Sequence, residues 1–457
     1  VVTKPFPKGV DDWSHPYHGP DNNPQSADKV VVAPYLTQFL AEPRYAPLPQ
    51  VTVASAGRVF KAFGHVAFKT REEPYLNKLV AFNGYNGTIL WQRDLTEGVM
   101  IHRNTMIATP KRLYVGDDKS CKVIDTATGE LLDEIVPPVD VAGGTFWKWM
   151  ALENGVLYAL TGAQEQRDPT KRWHRDKHGW PWAPISKGFN QPENPWGFGR
   201  NVLAINPRTK KILWHYHEEK PIDGRAICMK AGQIYAFCFG EYLTCLDAKT
   251  GRIVWKFLTD GPVRLAPTFS AGKLYFSSDD GCVYCVDAAD GRLIWKRRIA
   301  PSNRRVLGSG KMVSLWPSRT GVVVDGNTVY VGAGIFPAEG LFLYALDAKT
   351  GQILMVGYMS REALDLTIQT GCANYFSRSR QKIWKKGEQS GHFQKVEQIL
   401  VDCDQDCIVL KVKVDAGQCH VGYQSCFYRK LTKGTDKVEG LEFIAEKVYD
   451  PKETYKK

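Results

Sequence analysis

Short apolar runs alternating with polar residues recur along the first three quarters of the chain. The pairs of runs are closed by a turn whose consensus is Asp-x-x-Thr-Gly and followed by an apolar pair that often ends in Trp. Alternation of this kind predicts half-buried strands. Asp and Thr cap a turn with their side chains, and Gly supplies the left-handed backbone that closes it. Copies stand at 81–91, 123–133, 204–214, 245–255, 285–295 and 345–355. Their last residues are spaced by about forty positions, with two longer gaps, which is the signature of a repeat array. Strand-only units of this length predict radial four-stranded blades, because a β-solenoid has shorter coils. Trp91, Trp214, Trp255 and Trp295 are expected to wedge between neighbouring sheets. The sixth copy ends in Met355 where Trp is due, so the ring is either cut or completed by strands hidden in 134–203.

After residue 350 the period changes. Ser360 and Gly371 frame a helix as its cap and stop. Extended runs follow at 396–401 and 408–414. The fold class expected is mainly β: a β-propeller of four-stranded blades, incomplete on the visible copies, followed by a small α+β domain. The division expected is 1–345 and 346–457.

Composition narrows the function classes. The 457 residues are 43% hydrophobic and 24% charged, which is globular and excludes a disordered or fibrous chain. Mean hydropathy is −0.31, and no apolar run approaches the ~18 residues of a membrane span. The formal charge is +12, but the basic residues are spread along the chain and read as a solvated surface, not a nucleic-acid groove. Eleven cysteines show no disulfide spacing, and those of the repeat region read as small core hydrophobes. Cys282 and Cys285 form C-x-x-C but would face opposite sides of one strand. A start at Val1 without Met or an apolar leader is expected of a processed or truncated product.

Candidate chemistry concentrates near the C-terminus. Arg378, Arg380, Lys382, Lys385 and Lys386 interleave with Ser and suit phosphate groups. Trp384 either stacks on a base or packs in the core, the core role being favoured. Asp402, Asp404 and Asp406 share one face of an extended run, and three convergent carboxylates call for a hard cation such as Mg²⁺. Cys403 points to the other face and, with Cys419 and Cys426, offers soft thiolates for Zn²⁺. Three protein ligands leave a fourth position for water, the catalytic pattern. Cys407 reads as core, and His420 as a proton shuttle or a structural hydrogen-bond partner. In the repeat region His15, His18, Trp173, His174 and His178 are pocket candidates, with packing the favoured role.

LMVGYMSREAL (354–364), YFSRSRQKIWKKGEQSG (375–391), VDCDQDC (401–407) and CHVGYQSCFYR (419–429) together resemble the phosphoribosyl-AMP cyclohydrolase family of histidine biosynthesis, over roughly 346–431. The resemblance implies Mg²⁺ on the three aspartates and Zn²⁺ on the three cysteines, Cys403 coming from one subunit of a homodimer and the other two from its partner. It implies hydrolytic opening of the adenine ring of phosphoribosyl-AMP between N1 and C6. It also implies a cytoplasmic enzyme, or an exported one if a parent signal peptide was removed. The repeats resemble quinoprotein-like β-propellers of the pyrroloquinoline-quinone type. Dehydrogenases of that kind hold adjacent cysteines over the cofactor, and no Cys-Cys pair occurs here, so no quinone site is carried over. The string 347–354 fits both modules without a linker, as expected of a fusion or an assembly chimera. The alternative function is a propeller binding or scaffold protein, with or without dependence on pyrroloquinoline quinone, carrying an inactive cyclohydrolase end.

Overall fold

One device closes the repeat hairpins. Asp125 Oδ1 accepts the N–H groups of Ala127 and Thr128 at 2.8 and 2.9 Å, and Gly129, at φ 76°, donates to the Asp125 carbonyl at 2.9 Å. Asp247 and Asp347 accept from Thr250 N and Thr350 N at 2.7 and 2.8 Å in the same way. The register slips by a residue beside these turns, as between Val123 and Ile124 or Cys245 and Leu246, which sharpens the strand twist.

These hairpins build a propeller in the computed structural model. It describes residues 6–30, 41–64, 66–99, 101–102, 104–165, 197–238, 242–308, 311–335, 339–351, 359–377, 379–401, 408–414, 417–431 and 441–454. Blade one is the antiparallel meander Pro49–Ser55, Arg58–Phe63, Lys78–Asn83, Ile89–Asp94, and blade two spans 106–135 in four strands. Blades three and four form one seven-stranded sheet, because Ile212–Lys230 serves both, its pairing with Gln233–Cys238 shifting register between Ile222 and Ile227. Blade five is Thr268–Ser270, Lys273–Ser277, Cys282–Asp287, Leu293–Arg298. In blade six three strands are described, Val323–Asp325, Thr328–Ala333 and Phe342–Asp347. The stretch 134–203 does hold further strands, Phe146–Glu153, Val156–Gly162 and Phe198–Ile205. The first strands of successive blades lie side by side, which makes them the inner ring.

Tryptophan locks blade to blade. Trp91, Trp214, Trp255 and Trp295 donate from Nε1 to the carbonyls of Thr126, Ala248, Ala288 and Ala348 in the next blade, at 2.9–3.2 Å. Each indole covers a hairpin glycine, and a Cβ on Gly129, Gly251, Gly291 or Gly351 would lie 2.5–2.8 Å from the ring. Between blades two and three both partners change. Lys210, at φ 60°, replaces the glycine and Asp133 replaces the tryptophan, and the two form an ion pair at 2.6 Å. Wedging by tryptophan, expected from the repeat, is therefore realised at four junctions, and the fifth uses charge. The six repeat-region cysteines are all buried and unbridged. Cys282 and Cys285 belong to different core clusters on the two faces of their strand.

The N-terminal segment 13–23 crosses the inner ring and touches every blade in chain order. Trp13 exchanges backbone hydrogen bonds with Ala54 at 2.9 and 2.7 Å, and Ser14 O accepts from Ala108 N at 2.9 Å. His15 Nε2 accepts from Leu152 N at 3.3 Å, and burial holds that ring neutral by pulling its pKa to about 3. Pro20 O and Asp21 O accept from Met229 N and Phe269 N at 2.7 and 3.0 Å. Asn23 donates to Val324 O at 2.9 Å and accepts from Val324 N at 3.1 Å.

The C-terminal module begins with helix Arg361–Thr370. Ser360 Oγ caps it by accepting from Ala363 N at 3.2 Å, and Gly371 ends it at φ 64°, as the sequence signals predict. Three two-stranded sheets follow: Asn374–Ser377 with Lys382–Lys385, Lys395–Val401 with Ile408–Lys413, and Arg429–Leu431 with Leu441–Phe443. Among the described residues no helix is long and apolar enough to cross a membrane.

Candidate active site

A turn built on Cys419 faces the hairpin 374–385. Cys419 N donates to Tyr423 O at 3.0 Å, Gly422 N returns to Cys419 O at 3.0 Å, and Gln418 N reaches Gln424 O at 3.1 Å. Gly422 has φ 100°, and a Cβ there would sit 2.4 Å from Tyr449 O, so only glycine fits. The Tyr449 hydroxyl also donates to Cys419 O. Tyr423 stacks on Tyr428 at 3.9 Å with the planes 5° apart.

Behind the turn runs a buried polar chain. The Tyr375 hydroxyl donates to Gln394 Oε1 at 2.6 Å, and Gln394 Nε2 donates to Gln418 Oε1 at 2.8 Å. Lys386 Nζ donates to Gln418 O. Gln394, Gln418 and Lys386 are 3%, 2% and 8% exposed, so each partner is needed to offset desolvation. The backbone repeats the link, with Ala373 N on Gln394 O at 2.9 Å and Lys386 N on Ala373 O at 2.9 Å.

The hairpin and the turn enclose a cavity of about 860 Å³. Arg380, Lys382 and Lys385 supply its cationic wall, Trp384 lines it beside Tyr375 with ring centres 5.4 Å apart, and His420 and Cys426 line it from the turn. Arg380 Nε donates to Ser377 Oγ at 3.3 Å. Lys386 also lines the cavity, but its ammonium is directed at the Gln418 carbonyl. Desolvation, and after it the neighbouring Cys419, pushes the Cys426 thiol up, against the pull of Lys386. Burial, and then Cys426, pushes the Tyr375 hydroxyl up.

Of the residues singled out from sequence, Arg380, Lys382, Trp384, Lys385, Lys386, His420 and Cys426 thus line one cavity, with Cys419 beside Cys426. Arg378, Asp402, Cys403, Asp404, Asp406 and Cys407 lie outside the described residues, as do Trp173, His174 and His178. Among the described residues no group of three metal-binding side chains gathers. His15 is the buried clasp acceptor, and His18 Nε2 pairs with Asp11 Oδ2 at 2.8 Å, so both hold the N-terminal segment. Tyr375, Gln394 and Gln418 were not anticipated. Only the position of Gln418 next to Cys419 hints at a role.

Residues 355–428 match the family model described as phosphoribosyl-AMP cyclohydrolase. Residues 199–356 match the one described as outer membrane protein assembly factor BamB. The two stretches share residues 355 and 356. A phosphoribosyl-AMP cyclohydrolase of Methanococcoides burtonii is 52% identical over 121 residues, covering 26% of this chain and 93% of that protein. Proteins of the same name from Rhodopseudomonas palustris and Methanobrevibacter smithii are 53% identical over 125 residues and 56% over 114, covering 27% and 24% of this chain and 83% and 86% of theirs. Among solved structures, BamB of Moraxella catarrhalis has a TM-score of 0.39 at 11% identity, covering 64% of this chain and 71% of its own. Quinohemoprotein alcohol dehydrogenase of Comamonas testosteroni has 0.49 at 11%, covering 75% and 66%.

Proposed function

We propose, on the premise that this chain belongs through its C-terminal module to the phosphoribosyl-AMP cyclohydrolase family, that the 860 Å³ cavity hydrolyses phosphoribosyl-AMP between N1 and C6. The chain carries a histidine-biosynthesis hydrolase, and the finer assignments below are our reading. The observation that carries them is the convergence on one cavity of His420, three cations and the Cys426 thiol, with Cys419 beside it.

The donor set fits a soft divalent ion. Cys419 and Cys426 are neighbours without a disulfide, and paired sulfur donors suit a soft cation, which would take them as thiolates. Cys403, from a second copy of the chain, would complete the zinc ligands, and Asp402, Asp404 and Asp406 would hold magnesium. Bound there, zinc supplies Lewis acidity that makes water nucleophilic near neutral pH. Arg380, Lys382 and Lys385 hold the two phosphate groups of the substrate by charge-assisted hydrogen bonds. His420 moves a proton onto N1 as the C6–N1 bond breaks. Water oxygen ends on C6, which becomes a carboxamide carbon retaining the exocyclic amino group, and N1 leaves as a nitrogen of the formamidine it still forms with C2.

The division into 1–345 and 346–457, a cytoplasmic location and a homodimer are parts of the same reading. Metal content and turnover of phosphoribosyl-AMP by the full chain test it. Cys419→Ser is expected to lose both zinc and activity, and turnover equal to the unaltered chain overturns the assignment.

A further inference from the structure

The thiol-bearing turn is held from a part of the chain that the cyclohydrolase match does not reach. The match covers 355–428, and the holding residues are Lys447, Val448 and Tyr449. Lys447 makes a single antiparallel bridge with Tyr423. Val448 N and Tyr449 N both donate to Gly422 O, at 2.7 and 3.3 Å. At the other end of the turn Val448 packs so close that a Cβ on Gly417 would lie 2.6 Å from its Cγ2. The tail is thus fitted to the turn along its length.

Tyr449 does more than close this contact. Its hydroxyl donates to the carbonyl of Cys419, and its ring meets the His392 imidazole edge to face, with centres 4.5 Å apart and planes at 89°. His392 roots another stretch of the cavity wall. Gly387, Glu388, Gln389 and Ser390 line the cavity. Gly391 N closes them into a turn on Gly387 O at 2.8 Å, and His392 N donates to Ser390 Oγ at 3.2 Å. One phenol side chain therefore spans from the backbone of Cys419 to the root of this loop. Tyrosine suits the task because its ring is rigid and few torsions have to be fixed.

We propose that Tyr449 is a positioning residue for the Cys419 thiol, setting the turn that carries it against the loop 387–391; this rests on the reading of the cavity as the hydrolase site. Tyr449 acts through the Cys419 carbonyl and is itself neither a metal ligand nor a substrate contact. Groups that orient a ligand from behind tune both how firmly a metal is held and how well the site works. Arg380, Lys382 and Lys385 stand on the other hairpin, so the hold on the substrate's phosphates does not depend on Tyr449.

Tyr449→Phe keeps the ring against His392 and removes only the hydroxyl. In the full chain it is expected to release zinc to a coloured chelator about tenfold faster, and to lower kcat for phosphoribosyl-AMP about tenfold with KM unchanged. Amide exchange should speed up in 417–423 and stay as it was in the hairpin 374–385, with an unchanged circular dichroism spectrum. Gly422→Ala, which pushes the tail off the turn without altering Tyr449, is expected to give the same pattern. Zinc release and kcat equal to those of the unaltered chain in Tyr449→Phe overturn the positioning role, and so does a rise in KM with kcat unchanged. An unaltered chain that retains no zinc and does not turn over phosphoribosyl-AMP overturns the hydrolase reading itself, and the positioning role with it.

Discussion

Gln394→Leu tests how the thiol-bearing turn is held in place. The side chains are close in volume, so the change removes hydrogen bonds and leaves little cavity. It strips Tyr375 of the acceptor at 2.6 Å and Gln418 of the donor at 2.8 Å. Gln418 is buried and Tyr375 partly so, and an orphaned buried polar group costs about 1–3 kcal/mol, so the loss is about 2–6 kcal/mol. The backbone bond from Ala373 N to Gln394 O is untouched, and the loss should therefore be local. Hydrogen exchange of the segment 418–428, under conditions where opening is limiting by population, should speed up by about 30-fold or more, at about 1.4 kcal/mol per tenfold. In the double variant with Gln418→Leu neither end of the amide–amide bond is left behind, while the Tyr375 hydroxyl still loses its acceptor. The cost of the double variant should fall short of the sum of the two single variants by about 1 kcal/mol or more. Exchange at 418–428 within threefold of the unaltered chain, or strict additivity, would falsify the idea that this amide pair holds the turn.

Further expectations follow from the same coordinates. Gly291→Ala forces a Cβ to 2.6 Å from Trp255 at a φ of 73°. Overpacking and left-handed strain together should cost about 2–4 kcal/mol, read as a lower urea midpoint. Glu165 is desolvated, yet His102 at 2.8 Å and Lys148 outweigh that and bring its pKa down to about 2. A folded pKa below the unfolded one gives stability that is full above about pH 4.5 and lost as pH falls toward 2. About 3 kcal/mol should vanish across that window, and Glu165→Gln should flatten the curve measured by urea unfolding at each pH. Lys386→Met removes the donor to Gln418 O and should reduce the zinc retained against a chelator, with the melting temperature of the repeat region unchanged.

How much of this was readable from sequence depends on how local each interaction is. The Asp-x-x-Thr-Gly turn satisfies itself within five residues, so Asp125 and Gly129 announce their hairpin. The helix at Arg361–Thr370 likewise carries both of its end signals. The tryptophan wedge was legible because it recurs. The exchange of Trp and Gly for Asp133 and Lys210 was not, since it needs two positions 77 residues apart to be compared. Gln394 and Gln418 lie outside any period, and an amide pair leaves no motif. The path of the N-terminal segment was equally hidden, because its partners run from Ala54 to Val324 and local pattern is silent on contacts 301 residues apart.

That clasp also sets a timetable. Residues 13–23 are synthesised before any of the blade partners named above, and those partners follow in the order of translation, from Ala54 through to Val324. At about 5–20 residues per second, the interval between the first and the last partner is roughly 15–60 s. Docking that kept pace with synthesis would add one partner with each new blade. The growing chain thus carries its own measuring thread, and the asparagine at its far end finds both its donor and its acceptor only when the sixth blade has been synthesised.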